Sequence, residues 1–148
     1  MRIEIDQSGK LEYTSKPTVV GFANGKCESI IISASEKQKL LKKAYKINRP
    51  KVYRYKYKVF AILIYLLIKN EKLLNYLTID REYPGQENLI KSYLLNYLRK
   101  THPNISKQDI VFRTIGKASK AHEIAHKAYE SKHANIKITS SQIIKFLK

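Results

Sequence analysis

The residues His122-Glu123-Ile124-Ala125-His126 match H-E-x-x-H, the pattern in which two histidines one helical turn apart hold Zn²⁺ and the glutamate activates its water. Such a centre needs a third protein ligand. The candidates are Glu130 and His133, four and seven residues after His126. On a continuous helix each lies farther along the axis by about 1.5 Å per residue, so His133 reaches the metal only if the helix breaks near Ser131. A second set of chemically capable residues is acidic. Asp6 and Asp80 each close a run of strand character, Glu82 stands beside the latter, and Glu123 shares a helix face with His126, since i and i+3 are neighbours. The same residues also suit plainer roles, Asp6 and Asp80 as turn caps and the two histidines as helix surface.

The charge around these residues is lopsided. Across 148 residues, 29 Lys and Arg face 12 Asp and Glu, a formal net charge of +17. A field of that sign attracts polyanions, chiefly nucleic acid and secondarily anionic membranes or acidic proteins. Nothing in peptide hydrolysis asks for it, which weighs against the zinc peptidase reading. The run Tyr53-Arg-Tyr-Lys-Tyr-Lys58 interleaves rings with cations, which suits stacking on unpaired bases and equally the burial of ring bodies with lysines in water. The single Cys27 excludes an intramolecular disulfide framework and a cysteine-rich zinc site, and a reducing cytoplasm is the expected compartment. The first residues alternate and carry acids where a signal peptide needs an apolar stretch, so no targeting segment is expected. The apolar run Val59 to Ile68 is about half of what crosses a bilayer, and no membrane partner is expected.

The length and the 43% hydrophobic content suit one domain, residues 1–148. Residues 2–6 alternate as a strand and end in the turn Asp6-Gln7-Ser8-Gly9. Thr18–Ala23 and Cys27–Ser33 flank Asn24-Gly25, the signature of a type I′ hairpin, giving a three-stranded antiparallel meander. Ser33-Ala-Ser-Glu36 reads as a capping box opening a short basic helix that stops before Arg49-Pro50. Tyr53–Lys69 follows as a helix apolar almost all round in its second half, and Leu73–Asp80 as a buried strand. Glu87–Lys100 has helical periodicity, Asp109–Ile115 reads as a strand, and Lys117 to about Lys132 as a helix. Thr139 onward suits a short capped helix. The order is mixed α/β, β-β-β-α-β-α-β-α, with an extra short helix before the first long one.

That meander followed by alternating helices and strands, with Asp6 and Asp80 ending the first and fourth strands, resembles the ribonuclease H-like superfamily. The resemblance covers about residues 2–132 and leaves 133–148 as a C-terminal extension. Ribonucleases H proper carry a glutamate on the first long helix, and residues 51–69 contain no acid, so RuvC-type junction resolvases are the nearer pattern. The resemblance implies that strands 1, 4 and 5 lie parallel, so that Asp6 and Asp80 meet at one edge of the sheet. Glu123 on the last helix then completes a cage for Mg²⁺ or Mn²⁺, Glu82 is a supplementary ligand, and His126 an extra ligand or proton shuttle. Two such ions about 3.5–4 Å apart activate water and stabilise the leaving oxygen, which is why several carboxylates must converge. Arg81, Arg99, Lys100, Arg113, Lys117 and Lys120 are expected to hold the phosphate backbone, with DNA expected over RNA. Resolvases act as dimers, so the resemblance also implies a homodimer. Two other readings stand beside it: a non-catalytic nucleic-acid binder on the same scaffold, and the zinc peptidase with His122 and His126 as ligands.

Overall fold

The computed structural model describes residues 3–47 and 54–147. The expected strand start at residue 2, the helix stop before Arg49-Pro50 and Tyr53 of the tyrosine-lysine run lie outside the described residues. Among the described residues the chain forms one six-stranded mixed sheet and five α-helices.

Strand β1 (Ile3–Ser8) pairs antiparallel with β2 (Thr18–Ala23), which pairs antiparallel with β3 (Cys27–Ile32). The meander is therefore present, but its second connection is not a type I′ turn. Ala23 is opposite Cys27, so three residues form the loop, and only Gly25 among them has a positive φ, at 104°. A type I′ turn needs positive φ at both central residues, and Asn24 does not supply it. Strand β1 also runs two residues past Asp6, which sits inside the strand opposite Gly21.

Helix α1 (Ala34–Ile47) is as long as α2 (Tyr55–Ile68), not short. Only half of its capping box forms. The Glu36 backbone N–H donates to Ser33 Oγ at 3.2 Å, but the Glu36 carboxylate accepts from the Ser140 N–H at 2.8 Å. That swap ties the start of α1 to the C-terminal segment. Helix α2 is buried from Val59 through Tyr65 and again at Leu67 and Ile68, as an all-round apolar sequence requires. Strand β4 is confined to Leu77–Asp80, because Leu73 is exposed and Tyr76 takes a left-handed φ of 58°.

Helix α3 (Glu87–Leu98) packs on α2, and a 3-10 turn at Lys107–Asp109 leads into β5 (Ile110–Arg113). Helix α4 (Lys120–Ser131) ends at a left-handed Lys132. The C-terminal residues supply one strand that periodicity did not reveal, β6 (Ile136–Ile138), before helix α5 (Ser140–Leu147). Strand β6 is only three residues long and pairs parallel to β3, held where Asn135 Oδ1 accepts from the Ser29 N–H at 2.9 Å.

The sheet order is β5-β4-β1-β2-β3-β6, with β1, β4 and β5 mutually parallel. Helix α4 packs on β1, β2 and β3, while α2 packs on β2 and β3 and carries α3 and α5 beside it. Alternation along β1 sends Ile3 and Ile5 into the main core with α2. Glu4 and Asp6 point the other way, toward α4. No helix among the described residues is long and apolar enough to cross a membrane.

Candidate metal centre

Asp6 and Asp80 meet because β1 and β4 are parallel neighbours in a register that pairs Ile5 with Ile79. The next residue on each strand is then the aspartate, and period-2 alternation puts both on the α4 face. Glu82 joins them through a tight turn after β4, in which the Glu82 N–H donates to Asp80 O at 2.9 Å. One ligand atom each of Asp6, Asp80 and Glu82 lies within 4.8 Å of the others. Tyr83, buried edge-on against Phe60 at 5.5 Å between ring centroids, anchors the turn to the core.

The carboxylates are individually oriented. Asp6 Oδ1 accepts from the Gln7 N–H at 2.9 Å, and Asp80 Oδ1 accepts from the Ile115 N–H at 2.7 Å. His122 Nδ1 lies 2.8 Å from Asp6 Oδ2. With Asp6 ionised the carboxylate only accepts, and Nδ1 then carries the proton of this hydrogen bond. Burial raises the Asp6 carboxyl above its ordinary value, the His122 hydrogen bond opposes that rise, and the charge of Asp80 adds to it. Glu82 is pushed up to about 7, first by burial and then by the charges of Asp80 and Asp6. Three converging oxygen donors, of which Asp6 and Glu82 resist ionising, suit a hard divalent cation, whose charge offsets their repulsion.

Helix α4 reaches this cluster by lying unusually close to the sheet. Its Ala121, Ala125 and Ala128 are buried against β2 and β3, and opposite Asp6 on β2 stands Gly21. A Cβ at Gly21 would lie 2.9 Å from Ala125 N and 3.1 Å from Ala121 O. Ser119, the N-cap, donates to Glu4 Oε1 at 3.3 Å, and His122 meets Asp6 one turn later, so α4 runs alongside β1 in the same direction.

That helix phase corrects two expectations. Glu123 is not in the cluster: it is one residue, about 100° of helix, past His122. Its carboxylate pairs with Lys127 at 3.3 Å and Lys120 at 3.8 Å, which hold its pKa below the usual glutamate value. His126 is not in the cluster either. Its ring stacks parallel on His122 at 6.1 Å between centroids, and its Nε2 lies 3.8 Å from Glu130. The zinc set is likewise not assembled. Helix α4 does end at Ser131, yet His133 is exposed, and the Asp6, Asp80 and Glu82 group is the one set of three metal-capable side chains among the described residues.

The basic residues divide between two places. Arg81 adjoins Asp80, Arg113 is paired with Asp80 in register, and Lys117 and Lys120 stand between Ile115 and His122, the two residues that hold the aspartates. Arg99 and Lys100 follow the far end of α3, in the other helix layer. The member of the site that acid-based reasoning passed over is His122. The small residues at 121, 125 and 128 were its available signal, since they mark the sheet-facing stripe and put 122 on its flank.

Comparisons with protein-family models, curated proteins and solved structures find no match for this chain.

Proposed function

We propose that this chain is a metal-dependent nuclease of ribonuclease H-like fold that cleaves phosphodiester bonds of nucleic acid, with DNA expected over RNA. The observation that carries the proposal is the convergence, within 4.8 Å, of Asp6 and Asp80 on adjacent parallel strands with Glu82 from the turn after β4, in a chain of net charge +17. The strand order β5-β4-β1-β2-β3, parallel across β1, β4 and β5 and antiparallel through the meander, supports the fold assignment.

Asp6, Asp80 and Glu82 would hold Mg²⁺ or Mn²⁺, which when bound supplies water activation and charge neutralisation at the phosphate. The chain's own residues do the positioning. His122 fixes the Asp6 carboxylate from the α4 side, and the Ile115 N–H fixes Asp80, so neither aspartate is free to rotate out of the cluster. Arg81, Arg113, Lys117 and Lys120 offer phosphate contacts at its rim, giving affinity without sequence information.

The test is cleavage of branched, single-stranded and RNA–DNA hybrid substrates with Mg²⁺ or Mn²⁺, alongside Asp6→Asn and Asp80→Asn. Metal-dependent cleavage lost in both variants is expected. Absence of cleavage on every substrate, with salt-dependent binding intact, assigns the scaffold to binding alone. Cleavage unaffected by Asp6→Asn removes the site.

A further inference from the structure

Away from the acidic cluster, two grooves flank α3. One, of 440 Å³, lies between α3, α2 and α5, and three of its lining residues are Lys58, Lys100 and Lys145. The other, of 390 Å³, lies between α3 and the 3-10 turn, and contains Lys91, Arg99 and Lys107. Asn96 lines both, so the exposed side of α3 is the ridge between them.

Three properties of this ridge are unusual together. No Asp or Glu lines either groove. None of the six cations is in an ion pair among the described residues, although Arg81, Lys120 and Lys127 near the acidic cluster all are. Asn88, Ser92 and Asn96 recur every four residues, setting a row of neutral hydrogen-bonding groups along one side of the helix. The large exposed apolar side chains, Tyr13, Leu41, Tyr45, Leu73 and Tyr76, all lie elsewhere. The rings that do line the first groove, Tyr93, Tyr97 and Phe146, are buried or half-buried rather than exposed anchors for a protein or membrane partner.

We propose that the α3 ridge docks the phosphodiester backbone of a nucleic-acid duplex, as a contact separate from the metal centre. A duplex presents one negative charge about every 1.7 Å, the densest regular counterpart to an acid-free row of cations and amide donors. The ridge spans the helix from Asn88 to Arg99, about 17 Å at 1.5 Å per residue, and belongs to the helix layer opposite α4. It therefore engages a part of the duplex other than the one at Asp6 and Asp80.

The experiment is fluorescence anisotropy of a labelled DNA duplex with the full chain in EDTA, across a series of salt concentrations. Chelation makes the readout independent of cleavage, so failure of the nuclease assignment and failure of this one are distinguishable. Two triple variants, Lys58→Gln/Lys100→Gln/Lys145→Gln and Lys91→Gln/Arg99→Gln/Lys107→Gln, are compared with Lys16→Gln/Lys42→Gln/Lys46→Gln. The last removes equal charge from exposed lysines off the ridge. Each ridge triple is expected to flatten the log–log salt slope by about 2.7, at about 0.9 for each phosphate no longer neutralised, with an unchanged circular dichroism spectrum. The off-ridge triple is expected to flatten it by less than the share of a single phosphate. Equal flattening by all three, ridge variants that bind like the parent, or no salt-dependent binding by the parent overturns the proposal. So does binding to anionic vesicles that the ridge triples abolish while duplex binding stays intact.

Discussion

The substitution Gly21→Ala isolates what brings α4 to the cluster. The added Cβ would meet Ala125 N at 2.9 Å, Ala121 O at 3.1 Å and Ala125 Cα at 3.3 Å. All three are helix backbone, so no side chain can swing aside. Restoring ordinary contact at 3.4 Å or more requires α4 to move off the sheet by about half an ångström or more. Overpacking of this kind costs about 1–3 kcal/mol. For a chain of this size that is roughly 2–12 °C in Tm, read by thermal denaturation. The same movement lengthens the His122 to Asp6 contact from 2.8 Å toward the limit of a hydrogen bond, so divalent-cation affinity by calorimetry falls as well. Gly116→Ala is the control, because a Cβ there meets nothing within 4 Å and the backbone is not left-handed. A Gly21→Ala protein that melts with the parent and binds metal equally well refutes the idea that close helix approach holds His122 in place.

Other outcomes follow from single residues. His122→Ala lowers divalent-cation affinity about 10–100-fold, while Glu123→Gln leaves it unchanged and alters stability by less than about 0.5 kcal/mol, both by calorimetry and urea unfolding. Glu82, with a folded-state pKa of about 7 against an ordinary 4.5, binds its proton more tightly in the folded chain. Stability in EDTA therefore falls as pH rises from about 4.5 to 7, by at most about 3 kcal/mol, and Glu82→Gln removes that slope in pH-dependent urea titrations. Lys37 is buried with its ammonium donating to Tyr13 O at 2.7 Å, Thr18 Oγ1 at 3.0 Å and Lys10 O at 3.2 Å. Lys37→Met strands those acceptors at a cost of about 2–3 kcal/mol and speeds proteolysis within residues 10–16.

Elements with a strong local period were legible in the sequence. Helix α2 is apolar from Val59 onward and buried there at every position but Leu66; β2 and β3 flank their glycine turn; α3 and α4 fall within two or three residues of their expected bounds. What could not be read depends on partners distant in the chain. Strand β6 exists because Ile30–Ile32 offers a free edge, and nothing within three residues announces that. Lys37 looks like a surface cation of a basic helix, and only the folded segment of residues 10–18 makes its burial tolerable by supplying three oxygens. The three-residue hairpin loop likewise follows from how Ala23 meets Cys27 across the pair, which the Asn-Gly dipeptide does not specify.

The site divides along the same line. Asp6 and Asp80 were legible because strand order and period 2 together determine which residues of two parallel neighbours share a face. Glu82 was legible because it is two residues from Asp80. The helix contribution was not, because an acid in a promising motif says nothing about helix phase. Phase is set by what α4 buries, and three alanines buried against the sheet, two of them over Gly21, outweigh the preference of any single polar side chain for the metal cluster. Once that stripe is seated, residue 122 faces Asp6 and residue 123 faces water with Lys120 and Lys127 beside it. The H-E-x-x-H match is then explained without zinc: its first histidine orients Asp6, its glutamate pairs on the outer face, and its second histidine stacks on the first.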